Sequence, residues 1–187
     1  MNIILFGPPG AGKGTQAKHI IKMINGFQVS TGDMLRNEIK KNSDIGKKII
    51  HDMNDGKFIS DEIVNALIKN VIFDPQKKGK LIFDGYPRSL SQAKNLDTLI
   101  EDSSQKIDLI FFLNVSKDII IRRIEKRKDL ENRSDDNLKT ILKRYDTYME
   151  TTKPVLEYYS KNINFHEIDG SLEIDQITNK IDTFLGV

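Results

Sequence analysis

Cysteine is missing from the sequence altogether. Without a thiol there is no disulfide, no thiolate metal site and no cysteine nucleophile. The three histidines, His19, His51 and His166, are scattered without metal-ligand spacing. No zinc site is expected, and they read as structural or surface side chains. No apolar run approaches the roughly 20 residues of a membrane span. The N-terminus lacks a basic n-region and a cleavable h-region, and Ile3–Phe6 is too short for either. The expectation is a soluble, cytoplasmic protein. A dominant charge is lacking as well. Lys and Arg number 29 against 27 Asp and Glu, a net charge of +2, so no global field draws the chain toward nucleic acid or membrane. Any basic cluster that matters has to be local. There is no internal repeat or low-complexity linker, and 187 residues suit one domain with a substantial core and room for a small insert.

What is present is concentrated near the start. Gly7-Pro8-Pro9-Gly10-Ala11-Gly12-Lys13-Gly14-Thr15 follows the apolar run Ile3-Ile4-Leu5-Phe6 and fits G-x-x-x-x-G-K-[ST], the phosphate-binding loop. The β-rich run before it and the amphipathic run after it (Ala17, Ile20, Ile21, Ile24) supply the strand–loop–helix setting that the motif needs. Glycines let backbone N–H groups turn inward around an anion, and the helix N-terminus adds its positive end. Lys13 is placed to reach the β- and γ-phosphates, and the Thr15 hydroxyl stands where Mg²⁺ binds. A nucleoside triphosphate is the expected ligand.

Downstream, strands and helices alternate. Strands are predicted at 2–6, 27–29, 81–83, 109–113 and 163–168, and helices begin at 13, after Ser30, Ser43 and Ser60, after Pro87, and at 117, 138 and 172. Ser30 with Asp33 reads as a capping box, and the helix through Leu138 and Tyr145 is expected to continue past Pro154 to Tyr159. Central strands apolar on both faces, such as Leu109–Leu113, belong to a parallel sheet. The pattern predicts a doubly wound α/β fold, a P-loop fold with a five-stranded parallel sheet and helices on both faces. Two stretches depart from plain alternation: three helices instead of one at 30–74, and a charged excursion at 128–135. Extra elements at strand carboxyl ends are where such sheets hold ligands.

Asp84 closes a hydrophobic strand, the position of a second metal-organising carboxylate in P-loop enzymes. It is expected to hold Mg²⁺ mostly through water, with Asp33 a second candidate that its capping role already explains. Arg36, Arg88, Arg123, Arg127, Arg133 and Arg144 all fall near strand carboxyl ends, and Arg123 and Arg127 share a helix face. One triphosphate with Lys13 does not need six guanidinium forks. The excess points to a second phosphorylated substrate. Arg122, Lys126 and Lys128 are assigned to a solvated helix face. Asn179-Lys180-Ile181-Asp182 matches the guanine-reading N-K-x-D, but it falls mid-helix with Ile181 on the apolar stripe, so it is set aside.

These residues carry a resemblance that spans essentially the whole chain. IILFGPPGAGKGTQ at Ile3–Gln16, STGDMLR at Ser30–Arg36 and DGYPR at Asp84–Arg88, with Arg133-Ser134-Asp135-Asp136 and Arg144 following, resemble in order the motifs of adenylate kinases among the nucleoside monophosphate kinases. The resemblance implies reversible transfer from MgATP to AMP giving two ADP, in a monomer whose partners are these nucleotides. It implies a core of 1–29, 60–127 and 136–187, a monophosphate-binding insert at 30–59 and a short lid at 128–135 without the zinc site of long-lid members. Gly10, Ala11, Gly12, Lys13, Gly14 and Thr15 would hold ATP phosphates, with Arg123, Arg127 and the backbone at Leu172 on the ATP side. Thr31, Arg36, Lys57, Phe58, Ile59, Gly85, Tyr86, Pro87, Arg88 and Gln92 would contact AMP, with Arg133 and Arg144 bridging to it. Lys13, Arg88, Arg123, Arg133 and Arg144 would carry the catalytic charge. The pyrimidine-specific branch shares the short lid, while Thr31 and Gln92 resemble the AMP-specific members. Leu172 and Tyr86 depart from the family's usual lysine and phenylalanine.

Overall fold

The computed structural model describes residues 1–55, 57, 59–128 and 138–186, with backbone alone at 124–128 and 138–141. The described chain runs β1 (Ile3–Phe6), α1 (Lys13–Ile24), β2 (Phe27–Ser30), α2 (Thr31–Lys40), α3 (Asp44–Asn54), α4 (Asp61–Ile72), β3 (Leu81–Asp84) and α5 (Leu90–Asp102). It continues with β4 (Leu109–Asn114), α6 (Lys117–Lys128), α7 (Leu138–Thr151), α8 (Lys153–Tyr159), β5 (Phe165–Asp169) and α9 (Ile174–Leu185). The five strands form one parallel sheet in the order β2-β3-β1-β4-β5. No helix among the described residues is long and apolar enough to cross a membrane.

Period-two alternation splits the core into two layers. Ile4, Phe6, Phe83 and Ile110 pack on one face with helices α4, α5 and α8. Ile3, Leu5, Ile82 and Phe111 pack on the other with α1 and α9 through Ala17, Ile20, Ile177 and Ile181. The chain leaves β1 for β2 on one side of the sheet and leaves β3 for β4 on the other. Since β1 and β3 are neighbours, in register from Ile3 with Ile82 to Leu5 with Asp84, their carboxyl ends flank a topological switch point. A crevice opens there because the two connecting helices lie on opposite faces.

Several boundaries shift by one or two residues from expectation, the last helix among them, which starts at Ile174 and not at 172, and two further differences have a local chemical cause. The last strand begins at Phe165, and Ile163, read as its first residue, sits in a turn and is 91% exposed. There the Asn162 side chain accepts from the Asn164 N–H at 2.9 Å, an Asx-type turn that ends the apolar run's claim on the strand. The long helix through Tyr145 stops at Thr151, and a separate α8 starts with Pro154 in its first turn. Proline has no N–H for the interior of a helix but fits a first turn. The strand alternation, the parallel sheet and helices on both faces are as expected.

Between β2 and α4 the helices α2 and α3 lie against each other at closest range around Gly46. A Cβ there would fall 2.2 Å from the Glu38 carbonyl oxygen and 2.8 Å from the Ile39 Cα. On an exposed helix, alanine would improve on glycine by about 1 kcal/mol. Here the neighbour is backbone and cannot swing aside, so overpacking at about 1–3 kcal/mol dominates. Gly46→Ala is expected to lower Tm by several degrees, at about 2–4 °C per kcal/mol for a chain of this size. An unchanged or raised Tm in a thermal melt would show that the two helices are not locked at this crossing.

Candidate active site

The carboxyl ends of the strands open into one cleft of about 1010 Å³. Its floor is the loop between β1 and α1. Gly12 caps α1 at φ +97°, a left-handed value that glycine takes without strain. Gly12 has no side chain with which to cap this helix, and a helix N-terminus of this kind favours an anion. Gly10, Ala11, Gly14 and Thr15 line the same floor. The Lys13 ammonium lies over its own loop, donating to the Gly7 carbonyl at 2.8 Å and the Pro8 carbonyl at 3.1 Å.

Asp84 faces this loop from the end of β3. One carboxylate oxygen accepts from Gln28 Nε2 at 2.9 Å, and the same oxygen lies 3.9 Å from where a Cβ would stand on Gly14. With the Thr15 hydroxyl in the same cleft, the donor set is hard oxygen, which suits Mg²⁺. Asp33, the other candidate, has one oxygen paired with Arg36 Nη2 at 2.6 Å. Among the described residues no three His, Cys, Asp or Glu side chains gather as a metal site. A divalent cation here would complete its shell with water or with phosphate oxygens.

The basic wall is more unusual. Gly85, at φ +74°, turns the chain after β3 so that Arg88 Nε donates back to the Gly85 carbonyl at 2.6 Å. The Arg88 guanidinium is pulled down to about 10, first by burial and then by the charge of Arg144. Asp84 pushes it back up, and Arg36 adds to the fall. Three guanidiniums and a carboxylate thus share one field at the cleft wall. Below pH 10 Arg88 is cationic, and that charge is one the fold holds at a cost. Arg123, on α6, reaches to the phosphate-loop side, with Nη1 on the Ala11 carbonyl at 3.3 Å and Nη2 on the Leu172 carbonyl at 3.4 Å. The contact at Leu172 is to backbone, so the side chain there does not enter into it.

On the opposite side the Thr31 hydroxyl donates to the Gly85 carbonyl at 3.1 Å. Gln92 is 4% exposed, accepting from the Arg88 N–H at 2.8 Å and donating to Asp61 at 2.6 Å. Lys57, Ile59 and Pro87 also line the cleft. The Lys57 ammonium is raised above its ordinary value, chiefly by its hydrogen bonds to Asp55 and then Asp52. Tyr86 is not brought to the wall. Its side chain is fully buried, its hydroxyl donates to Asn65 at 2.8 Å, and burial pushes it up to about 12. Phe58, Arg133 and the side chain of Arg127 lie outside the described residues, as does the expected lid apart from the backbone of Lys128.

The cleft also holds residues that the sequence reading passed over. Arg122, assigned to a solvated face, lies at its rim beside Arg123. Tyr148 and Thr152 follow Arg144 at four and eight residues and face the cleft with it, a spacing that was available to be read. The Tyr148 hydroxyl is buried, which raises its pKa, while the nearby Gly7 backbone acts in the opposite sense. The Thr152 hydroxyl donates to the Arg88 carbonyl at 3.1 Å. The N-K-x-D stretch lies within α9, with Ile181 fully buried and Asp182 paired to His19 on α1 at 2.6 Å.

A site that concentrates like charge trades stability for binding. Arg88→Met fills the same space without the charge, and it is expected to unfold at a temperature equal to or above that of the parent chain at pH 7. A fall of Tm by several degrees would mean that the guanidinium's hydrogen bonds outweigh its burial and repulsion.

Two comparisons bear on what this cleft belongs to. The family model for Adenylate kinase matches residues 5–164. Curated relatives carrying that name include one from Pelagibacter ubique (strain HTCC1062), 50% identical over the full length of both chains. Another, from Caulobacter sp. (strain K31), is 41% identical over 100% of this chain and 99% of its own. A third, from Mycoplasma capricolum subsp. capricolum, is 40% identical over 97% of each. The Pelagibacter alignment runs to 213 positions, so that relative has positions with no counterpart among the 187 residues here. A phosphate loop facing a wall of guanidiniums, on a sheet of this order and in a chain matched from end to end, places the protein in the adenylate kinase family.

Proposed function

We propose that this cleft aligns ATP and AMP for in-line phosphoryl transfer, giving two ADP reversibly, with the phosphate loop on one side and Arg36, Arg88 and Arg144 on the other. The observation that carries the assignment is that Arg36, Arg88 and Arg144 line the same cleft as Lys13 and Asp84, near enough together for Arg144, Asp84 and Arg36 all to act on Arg88. Positive charge on both sides of a gap suits two phosphorylated substrates whose reacting ends meet. The acceptor is already an anion, so no general base is required. Catalysis then rests on alignment and on neutralising charge at the migrating group.

In this reading the backbone of Gly10–Thr15 cradles the ATP phosphates and Lys13 moves from its loop carbonyls to the β- and γ-oxygens. Arg123 steadies the loop against the Leu172 turn. Thr31 and Arg36 meet AMP from the insert at 30–59, the Lys57–Ile59 backbone and Gln92 meet its base and ribose, and Gly85, Pro87 and Arg88 its phosphate. Arg127 and Arg133, from the lid side, would complete the cage and exclude water, which is a competing acceptor. Thr15 and Asp84 would hold Mg²⁺, mostly through water. When bound, Mg²⁺ supplies charge neutralisation along the triphosphate.

The test is a coupled phosphotransfer assay with MgATP, offering AMP, CMP, UMP and GMP in parallel. AMP is expected to be preferred, with two ADP formed per turnover and all activity lost on chelation with EDTA and restored by Mg²⁺. A preference for CMP or UMP would move the acceptor assignment to pyrimidines. Arg88→Met and Arg144→Met are each expected to lower kcat by about 10²–10³, as for loss of one transition-state donor. A drop of less than threefold in either would remove that residue from the charge work.

A further inference from the structure

Gln92 is an amide, and an amide reads a base only if its two ends are told apart. Its orientation here is fixed by groups that leave no choice. The Arg88 backbone N–H can only donate, and it meets Gln92 Oε1 at 2.8 Å. The Asp61 carboxylate can only accept, and it meets Gln92 Nε2 at 2.6 Å. Rotating the amide by half a turn would set donor against donor at one end and acceptor against the amide oxygen at the other. Asp61 is itself anchored, because its second oxygen accepts from the Ser89 hydroxyl at 2.9 Å. Ser89 in turn accepts from the Gln92 N–H at 3.1 Å and caps α5. These contacts close a ring: Asp61 at the start of α4, Ser89 at the cap of α5, and Gln92 in its first turn.

From this ring we infer that Asp61 is a positioning residue for acceptor-base selection, acting through Gln92 and touching no substrate itself. The inference rests on the reading of Gln92 as the residue that meets the base. With Oε1 held toward Arg88 and Nε2 toward Asp61, the amide keeps one N–H and one oxygen lone pair for a ligand. Adenine offers an N6–H donor beside an acceptor ring nitrogen, which that edge satisfies. Guanine has an acceptor O6 in place of the N6 donor, so it meets the edge with like facing like. A hydrogen-bonding site of this kind discriminates because the wrong partner leaves buried polar groups unpaired. Without the Asp61 prop, Nε2 loses its fixed acceptor and the amide can turn to suit either base. Asp61 also begins α4 directly after the insert at 30–59, so the same carboxylate ties the insert's exit to the reading residue.

The experiment compares kcat/KM for AMP and for GMP in the full chain and in Asp61→Ala, Ser89→Ala and Gln92→Ala, with thermal melts confirming that each is folded. Asp61→Ala is expected to lower the AMP-to-GMP ratio about tenfold, the worth of one hydrogen bond of ordinary strength. KM for AMP should rise and KM for ATP should stay within twofold. Ser89→Ala loosens the carboxylate without removing it and should lower the ratio about two- to threefold; it decides the matter should Asp61→Ala fail to fold. A purely structural role would lower activity with both acceptors alike and leave the ratio unchanged. If Gln92→Ala lowers the ratio and neither Asp61→Ala nor Ser89→Ala does, the positioning role is overturned and the reading of Gln92 stands. If Gln92→Ala leaves the ratio unchanged, both fall together.

Discussion

Holding several cations together in a confined space is costly, and the architecture of this protein can be understood from how it does so. Arg36, Arg88 and Arg144 come from α2, the turn after β3 and α7, three separate parts of the chain. Their fields overlap strongly enough for Arg144 and Arg36 both to bring Arg88 down. No single helix could present them this way. The parallel sheet can, because every strand delivers its following loop to the same edge. Local partners offset part of the repulsion: Asp33 for Arg36, the Gly85 carbonyl for Arg88, and Asp84 from the strand end. The remaining positive field is what a polyphosphate would complete.

Backbone atoms carry much of the cleft's organisation. Lys13 rests on the carbonyls of Gly7 and Pro8, Arg123 joins the carbonyls of Ala11 and Leu172, and Thr31 and Arg88 share that of Gly85. Side chains are thus positioned by loop shape, and loop shape is secured by the two-faced core beneath. The central strands bury both faces, so the loops at their ends start from a packed base.

The fold was legible because its signals are local. A short apolar strand, a glycine-rich loop and an amphipathic helix in succession define the phosphate loop within about two dozen residues, and the same alternation recurs down the chain. What was hidden depended on rotation or on distance. Arg122 and Arg123 are neighbours, and nothing in their spacing said that the cleft would take both. Tyr86 sits inside a four-residue turn whose other members line the cleft, yet its ring turns inward to Asn65, a partner supplied by α4. Asp61 and Gln92 are 31 residues apart, and only the packing of α4 against α5 brings them together. The strand start at Phe165 was misplaced because Ile163 is apolar and β-branched, while the turn that excludes it is made by asparagine side-chain chemistry.

The link between Arg123 and the Leu172 carbonyl has a bearing on how such a chain can change over generations. Because the contact is to a main-chain oxygen, exchanging the side chain at 172 leaves it in place. Adding or deleting one residue in the turn between β5 and α9 would instead shift the carbonyl by up to about 3.8 Å, one Cα step, and break the contact. What this corner of the protein requires is therefore the length of the loop, and hardly its spelling.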